Sequence, residues 1–81
     1  MNEKIKTTKT LDKKSQELLT KIGKAIYKAR TTQGLTLREV EQLTGVSFMT
    51  ISNVEKAQAD CYFIKLLKVT NALKIDLKDF L

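Results

Sequence analysis

Leu11, Leu18, Leu19, Ile22, Ala25, Ile26 and Ala29 recur at the three-to-four spacing of a helix with one buried face. The pattern predicts an amphipathic first helix, its start open between two candidate N-caps, Asp12 and Ser15. Gly34, directly after Gln33, supplies a left-handed terminator. Thr36-Leu37-Arg38-Glu39 then reads as a capping box, with Leu35 and Val40 bracketing it as a hydrophobic staple. A second helix opens there and runs to about Thr44, where Gly45 stops it. Val46 and Ile51 staple another cap, Ser47, and a third helix extends to about Ala57. Asp60 caps a fourth helix carrying Phe63, Ile64, Leu67 and Leu73. Asp76, with Ile75 and Phe80 as its staple, opens a short fifth helix that reaches the C-terminus. No segment alternates as a strand would, so the expected fold is all-α, a compact five-helix domain.

Composition narrows the chemistry. A chain of 81 residues, 42% of them hydrophobic, is the length of one domain with a small core. There is no His, which excludes histidine-based catalysis and any His metal site. A single thiol, Cys61, leaves no partner for an intramolecular disulfide and no Cys-rich zinc site, so neither metal nor cofactor is expected. One reduced Cys suits the cytoplasm. No run approaches the ~18 apolar residues of a membrane span, and the basic N-terminus lacks the apolar stretch of a signal peptide. An enzyme is disfavoured for want of a nucleophile–base pair.

The formal net charge of +6 is unevenly placed. Residues 1–30 carry a net +6, residues 31–60 a net −2 and residues 61–81 a net +2. Residues 1–14 read as a flexible basic arm, with Lys4, Lys6, Lys9, Lys13 and Lys14 and only Met1, Ile5 and Leu11 as larger apolar groups. Residues 15–81 form the remaining domain. A basic balance of this kind favours a partner of negative charge, nucleic acid first. Within the domain, Val40 to Thr44, Gly45-Val46-Ser47, and Ile51 with Val54 describe two short helices locked at a steep angle across a tight turn. This is the helix-turn-helix arrangement, about residues 36–57, in which the second helix is presented outward to a DNA major groove.

At these residues the sequence resembles the phage lambda repressor and Cro family of XRE-type regulators. The resemblance rests on Ile22-Gly23, Ile26, Arg30, Gly34-Leu35-Thr36, Val40, Thr44-Gly45-Val46-Ser47, Thr50-Ile51-Ser52 and Glu55. It continues through Ala72-Leu73, Ile75 and Leu77 to Leu81, and so covers roughly residues 18–81. Three positions depart from the family pattern. Glu41 stands where Ala is usual at the contact of the two helices, Leu37 where a polar residue often grips phosphate, and Ala57 where a Gly usually follows.

The resemblance implies a non-enzymatic, sequence-specific transcriptional regulator, a prokaryotic or phage repressor that binds double-stranded DNA as a homodimer. It implies base contacts from Ser47, Phe48, Met49, Ser52 and Asn53, and phosphate contacts from Thr36, Arg38, Gln42, Thr50 and Lys56. Phe48 is evenly balanced between bordering the core and projecting into the groove. Arg30 and Glu55 would be ordinary surface charges in isolation; the resemblance makes them a partly buried ion pair joining the first helix to the third. Two alternatives stand beside this reading. One is the DNA-binding antitoxin of a toxin–antitoxin pair, whose arm would grip a toxin. The other is a protein-interaction module that uses exposed Phe48 and Met49.

Overall fold

Four helices followed by a 3-10 turn make up the computed structural model, which describes residues 13–58 and 63–80. They are α1 (Lys13–Thr32), α2 (Leu37–Thr44), α3 (Phe48–Glu55) and α4 (Phe63–Ala72), with the turn over Leu77–Phe80. Among the described residues there is no strand. One core joins all four helices: Ile22 and Ile26 from α1, Val40 from α2, Ile51 and Val54 from α3, and Val69 from α4 with Leu73 just past its end. Val46, in the turn between α2 and α3, completes it. Leu35, Leu37, Ile75, Leu77 and Phe80 close its rim. α3 packs on both α1 and α2, and α2 packs on α4 as well.

The helix ends show why the chain turns where it does. Thr36 Oγ1 accepts from the Glu39 amide at 3.1 Å while the Thr36 amide donates to Glu39 Oε1 at 2.7 Å, a complete capping box. All four helices end at a residue with positive φ, and three of these ends, at Gly34 (73°), Ala57 (56°) and Lys74 (63°), share one pattern. Each is wrapped by the same pair of amide bonds. Leu35, Gln58 and Ile75 donate to the carbonyls of Arg30, Asn53 and Thr70, five residues back. Gly34, Ala57 and Lys74 donate to those of Thr31, Val54 and Asn71, three residues back.

Several expectations are corrected. The fifth helix is a 3-10 turn: the Lys78 amide donates to Asp76 Oδ1 and the Asp79 amide to the Asp76 carbonyl, both at 3.0 Å. The second of these is a three-residue closure, which tightens the segment below an α-helical turn. α3 stops at Glu55 and not at Ala57, because Ala57 takes the left-handed conformation. Phe63 and Ile64 do not join the core; they are 64% and 67% exposed. The inward side of α4 runs through half-buried Leu66 and buried Val69 and Thr70 to Leu73 just past its end, and its first turn lies beyond that stripe. Lys13 and Lys14, counted with the arm, lie in α1. Residues 1–12, the Asp60 cap, Cys61 and Leu81 lie outside the described residues.

Candidate nucleic-acid interface

α3 is fixed from behind. Ile51 and Val54 are buried against α1 and α2, which leaves the opposite face of a two-turn helix outward. Gly23 of α1 permits the close approach. A Cβ there would come within 2.9 Å of the Glu55 carbonyl oxygen and closer still to that of Val54. The same end of α3 is tied to α1 by charge. Arg30 Nε donates to Glu55 Oε2 at 2.6 Å and Nη2 to Oε1 at 3.0 Å, with the two side chains only 12% and 8% exposed. Arg30 Nη1 also donates to the Leu35 carbonyl at 2.9 Å. The hydrogen bonds to Glu55 raise the Arg30 pKa above its ordinary value, against the opposing effect of burial. Helix, turn and ion pair thus present α3 as one rigid piece.

The turn is built to the same end. Gly45, at φ 79°, donates its amide to the Glu41 carbonyl, and Thr44 Oγ1 donates to the Val40 carbonyl and accepts from the Val46 amide. Ser47 then caps α3, its Oγ accepting from the Met49 amide at 3.1 Å and more weakly from Thr50 at 3.4 Å. Glu41, where a small residue is usual, lies at the half-exposed rim of α2 rather than in the core.

The candidate contacts are distributed unequally over this surface. Met49 is 58% exposed, and Ser47 and Lys56 are exposed on either end of α3. Phe48, Thr50, Ser52 and Asn53 are half-buried. Thr36, Arg38 and Gln42 are exposed along α2. Thr36 and Ser47 spend hydroxyl lone pairs on capping, so each keeps its O–H proton for an outside acceptor. Sequence reasoning missed one relation: the Arg38 guanidinium carbon lies 4.2 Å from the centre of the Phe48 ring, a cation–π stack that joins α2 to the start of α3. Among the described residues no group of three or more His, Cys, Asp and Glu could hold a metal ion. No described helix is long and apolar enough to cross a membrane.

Comparison with known proteins agrees with this geometry. The helix-turn-helix family profile matches residues 26–80. The fold is similar to that of the restriction-modification controller protein C.AhdI from Aeromonas hydrophila, with a TM-score of 0.67 and 27% identity over 78% of this chain and 96% of that one. It is also similar to the clp gene regulator ClgR from Corynebacterium glutamicum, with a TM-score of 0.68 and 28% identity over 78% of this chain and 67% of that one. No curated protein matches the chain at a significant level.

Proposed function

Because this chain belongs to the helix-turn-helix family, as a DNA-binding transcriptional regulator of XRE type, we propose that it is a cytoplasmic, non-enzymatic repressor of the lambda-repressor and Cro kind. It reads a two-fold operator as a homodimer, with the N-terminal end of α3 in the major groove. The observation that carries this reading is the locked presentation of α3, with Ile51 and Val54 buried behind and Met49 outward in front. Ser47, Met49, Ser52 and Asn53 face base edges, while Thr36, Gln42, Thr50 and Lys56 hold phosphates on either side. Phe48 and Arg38 sit together at the entering end. The two similar structures support a regulatory role, being a controller protein and a gene regulator.

Selection of bound sequences from random duplex DNA tests the proposal, followed by binding to single-base variants of the selected site. Asn53 offers a donor and an acceptor, enough for a bidentate contact to adenine. Asn53→Ala is expected to relax the preference at about one base pair by ~1–3 kcal/mol and to leave the helical circular dichroism unchanged. Wild-type base preference in both Asn53→Ala and Met49→Ala would remove α3 as the reader. A second reading draws support from exposed Phe63 and Ile64, which suit a protein partner. It is the DNA-binding antitoxin, and co-purification of a bound toxin would favour it.

A further inference from the structure

Two arginines in this molecule lie near an aromatic ring, and they are spent differently. Arg30 lies 5.4 Å from the Tyr27 ring, and its N–H groups are committed inward to Glu55 and the Leu35 carbonyl. Arg38 lies 4.2 Å from the Phe48 ring and is exposed, and among the described residues its guanidinium N–H groups meet no protein acceptor. Its neighbour Glu39 is turned back onto the Thr36 amide. Arg38 is therefore a cation held over the ring of the first residue of α3, with its N–H donors free of protein acceptors among the described residues. It is also one of only two basic residues between positions 31 and 60, the other being Lys56 at the far end of α3.

We propose that Arg38 reads a guanine in each half-site, and that Phe48 is the positioning residue that fixes its plane rather than a contact to a thymine methyl. The inference rests on the reading of α3 as the DNA-reading helix. A phosphate can be met from many directions, and a Lys can serve there as a point charge. The O6 and N7 acceptors of guanine lie side by side in the base plane and need a fork of donors oriented in that plane. A stacked guanidinium has surrendered much of its rotational freedom before binding, so less is lost when the fork closes. With one face of its ring under the cation, Phe48 has less apolar surface left for a methyl group.

The full-length chain is first used to select its preferred duplex. Wild type, Arg38→Lys, Phe48→Leu, Phe48→Tyr and the Arg38→Lys/Phe48→Leu double variant are then measured against every single-base change of that duplex, with circular dichroism as the folding control. Arg38→Lys keeps the charge and loses the fork; Phe48→Leu keeps an apolar side chain and loses the π face. Each is expected to lose discrimination for guanine at the same position by roughly 5- to 150-fold. The double variant should lose no more than either single one, and Phe48→Tyr should retain wild-type preference. Arg38 is exposed, so Arg38→Lys remains a valid test even where Phe48→Leu destabilises the fold. Unchanged guanine preference in Arg38→Lys overturns the proposal. So does a loss that is uniform across all sequences with the salt slope unchanged, the mark of a phosphate contact whose charge the Lys retains. Relaxation at a thymine in Phe48→Leu, or additive losses in the double variant, overturns the role of Phe48. A wild-type chain that selects no sequence sinks the DNA-reading proposal and this one together; selection by wild type with unaltered variants sinks this one alone.

Discussion

Arg30 makes three hydrogen bonds, two to Glu55 and one to a backbone carbonyl, from a position that is almost closed to water. Removing it leaves a carboxylate nearly buried without a cation, which costs more than the pair itself contributes. Arg30→Ala is expected to destabilise by ~2–4 kcal/mol, at or just below the range for a fully buried pair. Lys28→Ala, on an exposed neighbour, should stay within about 0.5 kcal/mol of wild type. Equal urea midpoints for the two would show that the pair contributes nothing to stability. Ala57 offers a gain instead. Its φ of 56° places a Cβ where only glycine is free of strain, at roughly 1–2 kcal/mol. Glycine gives back about 0.4–1 kcal/mol through its freer unfolded state. Ala57→Gly should therefore stabilise by about 0.5–1 kcal/mol and raise Tm by roughly 2–8 °C. A lower Tm would mean that Ala57 packing against the core outweighs the strain.

Among elements, the contact of α1 with α3 decides the most. Gly23 lies in the interior of a helix, where Ala would ordinarily gain up to about 1 kcal/mol in propensity. Here the added Cβ meets the carbonyls of Val54 and Glu55, which are backbone and cannot swing aside. Overpacking of this kind costs about 1–3 kcal/mol and exceeds the propensity gain. Gly23→Ala should lower the denaturation midpoint, whereas Lys24→Ala on the exposed side should not; a more stable Gly23→Ala would show that the two helices can separate freely. The requirement was only half legible in the sequence. Gly23 stood out as part of a family pattern, but no spacing rule says which backbone a helical glycine faces. Caps were more readable, because Thr36, Glu39 and Ser47 satisfy amides within three residues of themselves. Gly34 and Gly45 announced the ends of α1 and α2, while the equivalent ends at Ala57 and Lys74 carried no glycine to announce them. The Arg38–Phe48 stack was hidden for another reason. It joins residues on two helices, and their meeting depends on a crossing angle that neither segment encodes alone. Exposed Phe63 and Ile64 misled the reading of α4, since apolar spacing alone cannot tell a core stripe from its overhang.

Across the whole molecule, the charge is separated from the proposed reading head. Residues 31–60, which hold α2 and α3, carry a net −2, while the first 30 residues carry +6. A head of this sign is repelled overall by a phosphate backbone and gains affinity through individual contacts and helix amides. The long-range attraction must then come from the N-terminal third. Lys13, Lys14, Lys21, Lys24 and Lys28 lie along α1, and Lys4, Lys6 and Lys9 precede it. Each Lys that neutralises a phosphate releases condensed counterion, so its presence can be read from the salt dependence of binding. Deleting residues 1–11 should weaken binding to every duplex alike, because Lys at a phosphate carries no base information. The slope of log affinity against log salt should flatten by about 0.9 for each phosphate no longer neutralised, and by up to ~2.7 if Lys4, Lys6 and Lys9 all engage. The preferred sequence selected from random duplexes should not change. An unaltered slope in the deleted chain would remove these three lysines from the DNA and assign the arm to another partner; a changed sequence preference would make it a reader rather than an electrostatic tether.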